Sequence, residues 1–355
     1  MKPLYITAVV TYSGKTALAL GIGLKMQAMG RKVGYLKPIS TQPIMSGGKL
    51  VDEDAEFVGR TLGLAQSPAE LSPIVMDDSL LKEVFAGKQR RDYVAEIRAA
   101  YEKAGQGREV LLLEGGASMR EGYMLGLNAI KLAELFDMQT LGVVRYRSPL
   151  MSADDALAMK GRLGPHLLGV VINSVPADAM EEVTNAVAPY LEREGVKVYG
   201  LLPTEQKLMS ISVNELVGVL GAKNLTKGVS GEGLIENLSV GAMSVEAAMP
   251  HFRRTLRKAV ITGGDRADIQ AAALETSTTA LILTGNLTPS STILKHAESR
   301  GVSVLLVPYN TIQTVEKVES VFGKTRLAHP EKLQRFRESL DANMNWTRFF
   351  EDFGA

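Results

Sequence analysis

Through the first two hundred residues, short and mainly apolar runs alternate with longer stretches in which apolar and polar residues mix. The apolar runs are Leu4–Val10, Lys32–Leu36, Val110–Leu113, Thr140–Val144, Leu167–Ile172 and Val196–Leu202. Runs with so few polar interruptions predict strands buried on both faces, as in a parallel sheet. Helix-length stretches lie between most of them, among them Thr16–Gly30, Ala153–Leu163 and Ala177–Glu194. Gly30 and Gly164-Pro165 stand where such helices stop. Strands alternating with helices predict βαβ units in a doubly wound, mostly parallel α/β sheet.

The pattern resets after Leu202-Pro203. A polar stretch, TEQK, leads to Ser212-Val213-Asn214-Glu215, which reads as a helix start, and glycines follow thickly from Gly218 to Gly241. A second αβ series then begins, with Lys258–Thr262, Ala280–Thr284 and Val302–Val307 as strands. The boundary falls near residues 203–210, giving a domain over 1–205, a smaller α/β domain over 206–325 and a helical tail over 326–355. From His329 onward the tail carries Phe336, Trp346, Phe349, Phe350 and Phe353. So much apolar surface is not that of a free tail. It fits a helix docked on its own domain, or a contact between subunits.

Composition narrows the function classes. Forty Lys and Arg against 39 Asp and Glu leave a charge of +1, so there is no general attraction to nucleic acid or to an anionic membrane. With no cysteine, disulfides, thiol nucleophiles and thiolate-bound metal are excluded. The four histidines, His166, His251, His296 and His329, are far apart and lack metal-ligand spacing. No apolar run reaches the ~18–20 residues of a membrane span. The N-terminus, MKPLYITAVV, reads as a first strand without a signal-peptide cleavage site, which predicts a cytoplasmic protein.

The strongest chemical signal is Thr11-Tyr12-Ser13-Gly14-Lys15-Thr16, directly after the first strand and opening the first helix. There the backbone N–H groups of a tight turn and a helix N-terminus converge on one anion. Gly14 lets the backbone approach a phosphate, Lys15 reaches the β- and γ-phosphates, and the Thr16 hydroxyl joins the shell of a Mg²⁺ ion. The pattern G-x-x-x-x-G-K-[ST] is incomplete, because Val9 stands where its first Gly belongs. Lys37-Pro38 ends the second strand, Asp52-Glu53-Asp54 follows a glycine-rich loop, and Glu114-Gly115-Gly116 ends the strongly apolar strand Val110–Leu113. Ligands of an open α/β sheet bind beyond the carboxyl ends of its strands. That makes Lys37, Asp54 and Glu114 candidates around phosphate and metal. Their structural alternatives are a surface strand-end lysine, a solvated helix start and a capping carboxylate.

Together these residues resemble dethiobiotin synthetase, the ATP-dependent enzyme that closes the ureido ring of biotin. AVVTYSGKT, YLKPIST, Asp54 and EGGAS follow the order of that family's motifs over about residues 1–205. The resemblance implies a P-loop NTPase-like fold with ATP and Mg²⁺ as cofactors. It implies a phosphate loop of Thr11, Gly14, Lys15 and Thr16. Lys15 and Lys37 would be the catalytic lysines, with Lys37 facing the transferred phosphate and the substrate. Thr16, Asp54 and Glu114 would surround the metal, and Asn173 in VVINSVP would read adenine. Ala8 replaces the family's first Gly, Glu-Gly-Gly-Ala replaces Glu-Gly-Ala-Gly, and Val10 replaces the Asp after the family's first Thr. Val10 also stands where ParA- and MinD-like ATPases carry a signature lysine.

The second half, VITGGDRADI followed by ALILTGNLTPS, resembles a DRTGG domain. Two glycine turns side by side there make a candidate anion notch from Gly263, Gly264, Asp265, Arg266, Thr284 and Gly285, with Asp265 and Arg266 free to bind ligand or to pair with each other. The alternative is that the glycines serve only the turns and Asp265 caps a helix. The basic run His251-Phe252-Arg253-Arg254, with Arg257 and Lys258, reads as a solvated helix face. The pair of domains is similar to the N-terminal region of long bacterial phosphotransacetylases, without a counterpart of their acyl-transfer domain. That resemblance implies a regulatory or ligand-sensing role and a homo-oligomer. Three functions stay open: a Mg-ATP-binding regulatory protein, an ATP-dependent ligase acting on a carboxylate or carbamate, and a scaffold that no longer binds nucleotide. The expected partners are a nucleotide and, for a ligase or sensor, a small carboxylate or metabolite.

Overall fold

The computed structural model describes every residue except 42, 47, 89–90, 206–207, 209, 320–329 and 355. Part of the expected linker, the expected 325/326 junction and His329 therefore lie outside the described residues. Two compact units emerge, Met1–Thr204 with Ala328–Ala355, and Glu205–Leu327.

The first unit is built on six strands in the order Val198–Pro203, Leu167–Val175, Gln139–Arg145, Lys2–Ala8, Val110–Glu114 and Val33–Leu36. All the pairings are parallel. Strand Lys2–Ala8 sits between Gln139–Arg145 and Val110–Glu114, while the chain leaves it for the edge strand Val33–Leu36. The strand order therefore reverses beside it, so the loop after Ala8 opens at the switch point where α/β sheets bind ligands. Strand Val110–Glu114 is buried at every position, as an unbroken apolar run requires of an inner parallel strand.

Helix Lys15–Ala28 carries apolar residues all round, and Ala17 through Gly23 are all buried. A helix of that kind must be covered on more than one side. Gly23 lies against Leu62 and Leu112, and Gly21 against Leu340 and Phe336. Those last two belong to helix Pro330–Asn343, so the C-terminal segment covers the first helix. The aromatic tail ends in helix Trp346–Phe353, with Phe349 and Phe353 wholly buried. Phe349 meets the Tyr199 ring edge-on at 5.5 Å. The Tyr199 carbonyl accepts from Asn345 N at 2.7 Å, and Arg348 forms a two-pronged pair with Glu192 at 2.6 and 2.8 Å. These aromatics are thus docked on their own unit, the first of the two readings of the tail.

The second unit holds a five-stranded sheet in the order Lys223–Asn224, Ser303–Leu306, Thr278–Thr284, Lys258–Gly263 and Asn237–Val240. The first strand is antiparallel to its neighbour and the rest are parallel. Apolar clusters cover both faces of this sheet. Lys258 departs from the expected solvated face: it is fully buried at the start of its strand. Its Nζ donates to the carbonyls of Phe252 (2.9 Å), Ser277 (3.0 Å) and Thr255 (3.2 Å) and to the Thr276 hydroxyl (2.9 Å). The carbonyls left over where helix Val245–Arg254 ends attract a cation, which draws the lysine inward. Burial pushes its pKa down to about 8.

Among the described residues, no helix is long and apolar enough to cross a membrane.

Deleting the Phe349 ring leaves a cavity between the tail and strand Val198–Pro203. Phe349→Ala is expected to destabilise the first unit by ~3–5 kcal/mol. Urea unfolding followed by the fluorescence of Trp346, the chain's single tryptophan, measures it. An unchanged midpoint would mean that the tail contributes nothing to the unit.

Candidate functional site at the phosphate loop

Helix Lys15–Ala28 begins from Gly14, whose φ of +96° is left-handed. Glycine is needed there twice over. Few other residues adopt that backbone, and a Cβ at this position would run into the Asn173 side-chain nitrogen. Thr11 is exposed at the mouth of the loop, and Ser13 is buried within it. Lys15 is buried too, and its Nζ donates to the Ala117 carbonyl at 2.7 Å, in the EGGAS turn. Burial pushes the Lys15 pKa down, while the Glu114 carboxylate pulls against that shift.

Glu114 is the junction of the site. It is buried at the end of the inner strand, where one oxygen accepts from the Thr16 hydroxyl at 2.6 Å and the other from the Tyr35 hydroxyl at 2.7 Å. Lys37 faces the same place, with its Nζ 2.7 Å from Asp54, 3.0 Å from Asp52 and 3.9 Å from Glu114. Burial disfavours the Lys37 charge, but the carboxylates of Glu114, Asp54 and Asp52 more than compensate, and its pKa is raised. Burial raises the Glu114 pKa to about 6, against the pull of Lys37.

Three carboxylates and two lysines, Lys15 and Lys37, leave this cluster one negative charge if all are ionised. Thr16, Glu114 and Asp54 supply only hard oxygen donors, which suits Mg²⁺. That ion commonly takes one or two carboxylates and completes its shell with water and phosphate. Among the described residues, no three His, Asp or Glu side chains converge as a ready-made metal cage. Beside Glu114 a small pocket of about 10 Å³, room for roughly one water, is lined by Tyr5, Pro38, Gly116, Ser118 and Leu127, among others.

Lys15, Thr16, Lys37, Asp54 and Glu114 thus come together, with Gly14 and Asn173 alongside. Four partners were not read from the sequence: Asp52, Ser40, Tyr35 and Glu121. Asp52 is the buried member of the acidic triplet. It caps helix Glu53–Thr61 by accepting from Ala55 N at 2.9 Å, and it also takes the Ser40 hydroxyl at 2.5 Å. A carboxylate one position before a helix start was the available signal. Tyr35 lies two residues before Lys37, a spacing that puts both on one face of an extended chain. Glu121 holds the EGGAS turn, accepting from Ala117 N at 2.7 Å and the Thr41 hydroxyl at 2.8 Å.

In the second unit, Gly263 and Thr284 are paired at the ends of adjacent strands. The Leu287 backbone takes the space where a Gly264 side chain would stand, so the two glycine turns pack against each other there. Gln270 donates to the carbonyls of Gly263 and Gly264 at 3.0 and 3.1 Å. Gly285 has a φ of +75°, and the Thr284 hydroxyl is 3.3 Å from that of Thr311. Asp265 is exposed, and Arg266 pairs with Asp268 at 2.9 Å and the Met243 carbonyl at 3.0 Å rather than with Asp265. The N-cap position of helix Ala267–Leu274 falls on Arg266, not Asp265, and the Arg266 side chain makes no capping bond.

A glycine-lysine-threonine turn between an inner parallel strand and a helix, at the switch point of the sheet, defines a P-loop domain of the nucleotide-binding kind. The chain belongs to the AAA domain family, whose model matches residues 2–212, and residues 215–321 match the DRTGG domain. A phosphate acetyltransferase of Nitrosomonas europaea is 25% identical over 94% of this chain and 49% of its own length. The ATP-dependent dethiobiotin synthetase BioD of Methanococcus vannielii is 28% identical over 48% of this chain and 79% of its own. The chain spans about half the length of the phosphate acetyltransferases it matches. Among solved structures, chloroplast FtsY from Physcomitrella patens aligns with 57% of this chain and 59% of its own at 14% identity and a TM-score of 0.38.

The Glu114 shift has a measurable sign. An ordinary Glu ionises near ~4.3, and folded Glu114 at about 6. Between those values the folded state binds more protons than the unfolded one, so stability falls as pH rises through the interval. Glu114→Gln removes the titration and is expected to flatten that slope. Urea midpoints from pH 4.5 to 6.5, in both proteins, test it; parallel slopes would show that Glu114 is not the group responsible.

Proposed function

We propose that the first unit binds Mg·ATP and that the second senses a ligand, so that the protein is regulatory. The observation that carries the nucleotide reading is the Thr16–Glu114 hydrogen bond beside the buried Lys15, at the carboxyl end of the inner strands. Gly14 and Lys15 would meet the phosphates, with Thr11 at the mouth of the loop. Thr16, Asp54 and Glu114 would hold Mg²⁺, which screens phosphate charge when bound. Binding requires the Lys15 ammonium to leave the Ala117 carbonyl, and Lys37 to keep a charge that its three carboxylates already favour. The DRTGG match and the paired glycine turns support the sensing role, with Gly263, Gly264, Asp265, Arg266, Thr284 and Gly285 as its candidate residues. The reading carries with it a cytoplasmic homo-oligomer.

A second reading, ligation of a small carboxylate or carbamate, draws on the position of Lys37 beside Glu114 at the carboxyl end of the inner strand. There Lys15 and Lys37 would stabilise the charge that spreads over a phosphoryl group in transfer.

Calorimetry with ATP, ADP and GTP, each with and without Mg²⁺, separates these readings. Tight binding without phosphate release supports the regulatory reading, and steady phosphate release with a panel of small acids supports the ligase. Lys15→Ala removes a charge-assisted phosphate contact and is expected to weaken ATP binding roughly ten- to a hundredfold. A folded Lys15→Ala protein with the parent's affinity would put the phosphate site elsewhere.

A further inference from the structure

Asn173 lies 160 positions from Ser13 in sequence, yet its Nδ2 donates to the Ser13 carbonyl at 2.8 Å. Its Oδ1 accepts from Ser174 N, also at 2.8 Å. The two bonds fix the amide's orientation. A flip would set an oxygen against the Ser13 carbonyl and an NH₂ against the Ser174 N–H, losing both. The strand end is shaped for this: Ser174 has a φ of +61°, and the Asn173 carbonyl accepts from Tyr146 N at 2.8 Å.

The Ser13 carbonyl belongs to the same peptide plane as the Gly14 N–H. In a trans peptide the C=O and N–H point in opposite directions. An amide that holds this carbonyl therefore aims the Gly14 N–H the other way. A phosphate loop works only when its N–H groups turn together toward one anion. Gly14 completes the arrangement, because any Cβ there would displace the Asn173 nitrogen.

We infer that Asn173 is a positioning residue for the phosphate loop. Recognition of adenine's N6 and N7 edge takes both polar atoms of an amide in one plane. Each atom spends one site on the protein and keeps another, an N–H and a lone pair, so holding the loop does not compete with contact to a base. Through the loop, Asn173 acts on the polyphosphate whatever base is attached to it.

The inference rests on the nucleotide reading above, and inorganic tripolyphosphate separates the two. Calorimetry in Mg²⁺ compares ATP, GTP and tripolyphosphate on the full chain and on Asn173→Ala. The expected result is a loss of about tenfold or more for all three ligands, tripolyphosphate included. In the parent the Gly14 amide resonance shifts when tripolyphosphate binds; in Asn173→Ala that shift shrinks, an effect that general destabilisation would not produce. If Asn173→Ala does not fold, Asn173→Ser, which keeps a donor but shortens its reach, carries the same comparison. An altered ATP to GTP ratio with unchanged tripolyphosphate affinity overturns the inference, as does no change with any ligand. If the parent binds none of the three, the nucleotide reading falls, and this inference with it.

Discussion

A buried ammonium among carboxylates organises the first unit. Lys37 stays charged out of water because Glu114, Asp54 and Asp52 face it, and Lys37 in turn works against the burial that disfavours the Glu114 carboxylate. Each group also ties down a separate element. Asp52 caps a helix, Glu114 ends the inner strand and holds Thr16 of the first helix, and Lys37 follows the edge strand. Removing Lys37 would leave Asp52 and Glu114 buried without their counter-ion, so the elements are held together by the cost of separating the charges.

The apolar scaffold gives that cluster a fixed place. An inner strand buried along its length sets Glu114 in register beside strand Lys2–Ala8, with Ile6 opposite it. The first helix is covered by sheet on one side and by Phe336 and Leu340 of the C-terminal segment on another. Helix and strand thus meet at Thr16 and Glu114 with little freedom. The phosphate loop then depends on two side chains from elsewhere in the sheet, Glu114 and Asn173, rather than on its own six residues.

The second unit uses similar materials differently. Its glycine turns close on each other at Gly264, and its buried lysine, Lys258, is met by carbonyls and a hydroxyl instead of carboxylates. Its pKa accordingly moves opposite to that of Lys37, down rather than up. The contrast shows that the partners, not burial alone, decide what charge a buried lysine keeps.

The sequence by itself determined the strands, the alternation with helices and the phosphate loop. These are written in local patterns, the unbroken apolar runs and a Gly-Lys-Thr turn at the junction of strand and helix. Lys37, Asp54 and Glu114 were legible as strand-end or loop residues, because position relative to a strand end is itself local. Tertiary structure decided the partners. Asp52 rather than Asp54 is the buried acid, because the helix it caps turns it toward Lys37 and Ser40. Lys258 turned inward, because a helix ended beside it. The aromatic tail docks on strand Val198–Pro203, to which nothing in its own composition points. Asn173 meets Ser13 across 160 residues, and the periodicity of neither segment encodes the other. A pattern along the chain reports which face of an element is buried, whereas the identity of what buries it is a property of the assembled fold.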